Sequence, residues 1–350
     1  MSVDTAARPT AKRTSGVGRL VLVELRRYGA RAGVRWLLVA MLGIVAMTAF
    51  AAYRSSIPPA QAQLDEAQRV YAEQLDHWEE NGERQIQDCR DAEAAERGRN
   101  PDEPVDFGCE GMTAPEPEWF LPHRTTFAEA ASGWVEQLST FLLLVTVVVG
   151  ATFVAAEFSS GSISTWLTFE PRRGRVFASK VAVAALVTGV AVLVASAVFV
   201  GAAWLVCRVN GALGDVTPEL WTDVTHRVLR TGALGVGTAA LGAALAFLLR
   251  HTAAAIAVVF AWMVILENIL GSFVEGYARW TVQTNTTAWI QGGLTRQVGS
   301  TMCGTDASGV TTCDGESLTV TMAQSGVFLL GVVVAVTAVA LVVFRRRDVG

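Results

Sequence analysis

The chain has 350 residues, of which 51% are hydrophobic and only 17% charged, with a formal net charge of −4. Soluble globular proteins carry about 25% charged residues, so this balance excludes an ordinary soluble enzyme and points to an all-α polytopic membrane protein. The small net charge hides a segregation: residues 1–35 hold eight Arg or Lys against Asp4 and Glu24, whereas residues 54–132 hold seven Arg against eighteen Asp or Glu. Basic residues collect on the cytoplasmic side of membrane spans. The first segment is therefore expected inside and the second outside, and no nucleic-acid partner is inferred. Lys12 and Lys180 are the only lysines; with abundant Arg, Ala, Val and Gly this suggests a bacterial source and a plasma-membrane location.

In chain order, residues 1–33 read as a polar tail followed by an amphipathic helix. Val17, Leu20, Val21, Leu25 and Tyr28 recur at helical spacing, with Arg19, Arg26, Arg27 and Arg31 between them. That pattern suits a helix lying in the cytoplasmic interface; the plainer reading is a basic anchor for the first span. Six transmembrane helices are expected, at 34–53, 136–156, 181–206, 228–249, 252–274 and 324–344, since about 20 helical residues cross a ~30 Å hydrocarbon core. Six spans place both termini on one side. The basic residues before span one, between spans two and three, at Arg250 and at Arg345–Arg347 all agree with the cytoplasm. Ala49-Phe50-Ala51 has the form of a signal-peptidase site, but the long organised segment before it argues against cleavage.

Residues 54–135 form a large external acidic segment. Pro58-Pro59 ends the first span, and residues 60–97, rich in Ala, Glu, Gln and Arg, predict a helix. Leu64, Ala67, Tyr71, Leu75 and Trp78 make one narrow apolar stripe, available to another copy, to the second external segment or to a partner. Residues 136–274 carry spans two to five with a connector at 157–180. Residues 275–323 are the second external segment, expected as interfacial turns and short helices, with 282–294 a candidate for re-entry into the outer leaflet. Residues 324–350 are span six and a basic tail.

Four cysteines, Cys89, Cys109, Cys303 and Cys313, fall in the two external segments, where an oxidising compartment favours disulfides. Local pairing and cross-pairing are both open, because spacing does not decide connectivity. No Cys-x2-Cys or His pair suggests a metal site. Glu267 and Asn268 lie inside span five. An intramembrane carboxylate is by default a functional candidate, facing the translocation path or a cation; the alternative places it at the outer mouth beside water or a helix end. Gly232, Gly235, Gly237 and Gly242 in span four read as close helix packing. No P-loop, G-x-S-x-G or H-E-x-x-H motif is present, so no catalytic residue is assigned.

The most specific stretch is the connector, E-x3-G-S-I-x3-L-x3-P-x-R-x6-K, from Glu157 through Gly161, Leu167, Pro171 and Arg173 to Lys180. With Glu24-Leu25-Arg26-Arg27 before span one, six expected spans and the ending Phe344-Arg345-Arg346-Arg347-Asp348-Val349, it resembles the ABC-2 type transporter permeases. The resemblance covers 17–53 and 134–350 and departs in the long acidic segment. It implies a cytoplasmic coupling helix around 160–169 that docks on a separate ABC ATPase subunit holding ATP and Mg, with no cofactor in this chain. A second permease, identical or different, completes the assembly. Trp166 and Leu167 are expected to supply apolar contact, Arg172 and Arg173 to hold the connector at the lipid surface, and Glu157 to pair with an arginine. Export of a lipid, glycolipid, peptide or hydrophobic drug follows from the same resemblance. Other readings are a non-transporting complex that relays ATPase motion to an envelope partner of residues 54–132, and a membrane sensor.

Overall fold

The structure, a computed structural model, describes residues 17–99, 105–269, 276–305 and 311–347. The chain starts with α1 (Val17–Ala30), turns at an extended Arg31, and enters α2 (Ala32–Ser56). Then come α3 (Gln61–Arg99), α4 (Phe127–Ser159), the short α5 (Ser162–Phe169), α6 (Arg173–Val209) and α7 (Pro218–Leu249). α8 (Thr252–Ala261) continues as a π-helix over Trp262–Ile269; α9 (Val282–Gln291), a β-hairpin and α10 (Met322–Arg346) complete the chain.

Five helices, α2, α4, α6, α7 and α10, are long and apolar enough to cross a membrane. They coincide with five of the six expected spans. Of the expected fifth span, 252–274, residues 252–269 are helical, with the apolar stretch Thr252–Glu267, and 270–274 lie outside the described residues.

Local signals explain where the long helices start. Thr126 and Glu129 form a reciprocal capping box at the head of α4, the T-x-x-E pattern that satisfies two otherwise unpaired amides. Thr217 followed by Pro218 opens α7, and Thr321 caps α10.

α7 is the centre of the bundle, with α4 against one face and α6 against another. Thr231 and Thr238 reach Ser139 and Thr146 of α4 at 2.8 and 2.6 Å. Backbones touch at two points: a Cβ added to Gly150 would lie 2.2 Å from Ala239 O, and one at Gly242 would lie 2.1 Å from Val147 O. Gly232 and Gly235 face Leu193 and Val192 of α6 instead. Without a hydrophobic drive between helices in lipid, such close approach of small residues holds spans together. Phe158, Phe177, Phe247 and Phe344 then join α4, α6, α7 and α10 in one aromatic cluster, with centroids 4.6–6.5 Å apart.

α3 has 39 residues and is about 58 Å long. The return stretch 105–126 lies along it: Tyr71 of the apolar stripe packs on Phe120 at 5.8 Å, Arg97 donates to Val105 O at 3.1 Å, and Cys89 is disulfide-bonded to Cys109. The disulfide closes a loop of 20 residues, a constraint of about 3 kcal/mol in the chain-entropy view. Cys89→Ser is expected to make 105–126 the first site of limited proteolysis; a digestion pattern identical to the oxidised parent would contradict this.

The described chain is mostly helical, and residues 293–305 and 311–321 add to the all-α expectation one β-hairpin where turns and short helices were expected. β1 (Gly293–Thr305) and β2 (Thr311–Thr321) pair antiparallel, with Leu294 opposite Val320 and Cys303 opposite Cys313. Leu318 and Val320 are buried while Ser317, Thr319 and Thr321 are exposed, the period-two alternation of a half-buried strand. The sulfur atoms of Cys303 and Cys313 lie outside the described side chains.

Candidate functional site

Arginines gather at one end of the bundle, around α1, α5, the C-terminus of α4 and the N-terminus of α6; the acidic α3 hairpin stands at the other. Three charged side chains meet at the basic end with no solvent exposure at all: Glu24, Glu157 and Lys180. Lys180 Nζ donates to both oxygens of Glu24 at 2.9 and 3.1 Å and forms an ion pair with Glu157 Oε2. That last contact is charge against charge, without an aligned hydrogen bond to Oε2. Arg31 Nη2 donates to Glu157 Oε1 at 2.6 Å, and its Nη1 donates to Phe153 O at 2.8 Å. Arg27 stands 3.9 Å from the same carboxylate.

The geometry follows from the helices. Glu157 is in the last turn of α4 and Lys180 two turns into α6, so the antiparallel pair brings 157 and 180 level. α1 crosses both. Its apolar face carries Tyr28 inward, where the hydroxyl meets Thr188 Oγ1 of α6 at 2.7 Å and the ring lies 5.1 Å from Phe153. One turn earlier Glu24 reaches Lys180. An unpaired buried charge is costly; each of the three has an opposite partner.

α5 is seated on this cluster. Gly161 starts it in the left-handed region at φ 65°, a conformation that glycine adopts without penalty. Trp166 Nε1 donates to Glu24 Oε1 at 2.7 Å, and Arg27 stacks on the indole at 4.4 Å. Ile163 is buried and Leu167 packs on the same apolar cluster. Trp166 and Leu167 thus hold α5 to its own chain while both stay half-buried. The outward face is Ser164, Thr165, Thr168 and Phe169, and Phe169 is 78% exposed. An open groove of about 290 Å³ beside it is lined by Ser164, Leu167, Thr168, Pro171 and Arg173.

The connector arginines divide. Arg172 is exposed. Arg173 instead closes the end of α10: its Nη1 donates to the carbonyls of Phe344, Arg345 and Arg347 at 3.3, 3.4 and 2.6 Å. A cation is favourable there because the last carbonyls of a helix lack intrahelical partners.

Glu267 lies away from this cluster. Its oxygens accept from Trp262 Nε1 and from the backbone amides of Val282 and Gln283, so the carboxylate sits at the N-terminus of α9. The side chain of Asn268 lies outside the described residues.

Residue types alone left a second network unnoticed. Asp223 accepts from Ser132 Oγ at 2.6 Å and Arg227 Nε at 2.7 Å; Arg227 is 3.7 Å from Glu136, and Gln291 donates to Glu136 at 2.8 Å. The i,i+4 spacing of Asp223 and Arg227 was the available signal.

The family described as ABC-2 family transporter protein matches residues 27–349. No curated protein and no solved structure matches the chain.

Proposed function

The chain belongs to the ABC-2 family of transporter proteins, and from that premise we propose that it is the permease half of an ATP-driven exporter worked through α5. ATP and Mg are held by a separate ABC ATPase subunit, which docks on the 157–180 connector. A second permease, identical or different, completes the pathway in a bacterial plasma membrane, with both termini cytoplasmic. The cargo is a lipid, glycolipid, peptide or hydrophobic drug.

The observation that carries this reading is the buried Glu24–Lys180–Glu157 cluster beneath α5. It ties α5, through Trp166, to α1 and α6 at once. A load applied to the outward face of α5 passes into the bundle as a rigid displacement, since close-packed elements shift as units. Arg173 extends the same tie to α10. Phe169 is the contact expected to enter the ATPase, because exposed aromatics in partner pockets dominate interface energies.

Phe169→Ala is expected to lower co-purification of the ATPase about tenfold or more, the effect of losing one aromatic anchor worth ~2 kcal/mol. Arg172→Ala should act weakly. Purification of the tagged chain in mild detergent, with mass spectrometry and vanadate-sensitive turnover, tests both points. A permease that retains no ATPase after crosslinking would reject the proposal.

The α3 hairpin favours a second reading, in which ATPase motion is relayed to an envelope partner and nothing is transported. Cargo movement in inverted vesicles separates the two.

A further inference from the structure

We infer that Glu267 is a positioning residue for transport: it clasps the π-helical end of α8 to the head of α9, and the clasp releases when ATP closes the partner ATPases. The inference rests on the transporter reading above.

The amides at the start of a helix have no intrahelical acceptor. In α9 three of them are taken. Glu267 Oε1 accepts from Val282 N at 2.7 Å, Oε2 from Gln283 N at 2.9 Å, and Thr281 Oγ1 from Thr284 N at 3.2 Å. The two bonds to Glu267 are charge-assisted and favoured by the positive end of the helix. Trp262 Nε1 adds a third donor at 2.9 Å to Oε1. Both oxygens are therefore engaged by N–H groups, which favours a tie between elements over a cation site.

α9 is held firmly at its other end. Trp289 Nε1 donates to Arg230 O at 3.1 Å, Arg230 Nη1 to Ile290 O at 3.2 Å, and Gln291 to Glu136. The Trp289 ring lies over Gly326 of α10, where an added Cβ would come within 2.6 Å of it. The C-terminus of α9 thus belongs to α4, α7 and α10, while its N-terminus is joined to α8 by Glu267.

The join can be released because its base is a π-helix. Residues 262–269 are wound in i→i+5 register. Return to α-helical register turns the side chains beyond the change by about 100°, which withdraws Glu267 from the amides of α9. Motion at the basic end reaches α8 directly. α7 passes into α8 through a tight turn at Arg250, which adopts a left-handed backbone at φ 56° and stacks on Phe158 of the aromatic cluster at 5.5 Å.

The test is hydrogen exchange across 282–291 in the full chain with its ATPase in lipid nanodiscs, nucleotide-free and vanadate-trapped. In the parent complex, trapping is expected to speed exchange about tenfold, as loss of charge-assisted hydrogen bonds predicts. Glu267→Gln should exchange fast in both states, and Trp262→Phe, which removes a single donor, should lie between. Equal exchange of the parent in the two states, during proven ATP turnover, would overturn this inference alone. A parent complex with no turnover would overturn the transporter reading and the inference with it.

Discussion

Lys180→Met is expected to destabilise the bundle by about 3–5 kcal/mol, the usual result of stranding a buried charge by removing its partner. Glu24 and Glu157 would then share a site without solvent. Glu157 keeps Arg31 and Arg27. Among the described residues Glu24 keeps the Trp166 indole alone, and the stranded charge carries α1 out toward water. Detachment of α1 releases Arg27 and Arg31 from Glu157 and Phe153 O and frees the backbone around them, so trypsin should cut within 26–31 at a dose that leaves the parent intact. Adding Glu24→Gln to Lys180→Met should restore much of the loss, because the stranded charge is gone and the amide still accepts from Trp166. Arg172→Met, at an exposed position, should change little. The readout is the thermal unfolding midpoint in detergent with the tryptic map. A Lys180→Met chain with the parent's midpoint would show that the cluster anchors nothing.

Gly242→Val should be as severe, for a steric reason. Its first added carbon falls 2.1 Å from the carbonyl oxygen of Val147, where ordinary contacts lie at about 3.5 Å. The obstacle is backbone, so α4 and α7 must separate by more than about 1 Å. Overpacking by flexible side chains costs about 1–3 kcal/mol; here the Ser139–Thr231 and Thr146–Thr238 hydrogen bonds stretch as well. Gly150→Val meets Ala239 O in the same way. Gly201→Val and Gly331→Val, with nothing within 4 Å of the added Cβ, are the matched controls. Equal unfolding midpoints for Gly242→Val and Gly331→Val would refute the contact.

Much of this was readable from local pattern. Spans one to four and six stand where uninterrupted apolar runs lie, and the Pro58-Pro59 break and the α3 helix follow from composition and spacing, whereas the connector helix came from the family resemblance. Family membership also came from order along the chain, in Glu157, Gly161, Pro171, Arg173 and Lys180. What escaped was long-range. Glu24 finds Lys180 across 156 positions, and no periodicity announces that Lys180 is a buried counter-ion. Trp166 reads equally as an outward anchor or an inward donor, because an eight-residue helix has too few residues to define a face. Span five reads as 252–274 because its apolar run continues, but apolarity alone does not announce the π-helical winding of 262–269. The hairpin was legible in Ser317-Leu318-Thr319-Val320-Thr321, but glycines and threonines around it read as turns.

The most direct measurement replaces Phe169 with a photo-reactive phenylalanine analogue in living cells and identifies what is captured on irradiation. Capture of a P-loop ATPase from position 169, absent when the analogue stands at buried Ile163, is the result the coupling account predicts. Capture of lipid alone at position 169, with the ATPase missing at Ser164, Thr165 and Thr168 as well, would contradict it.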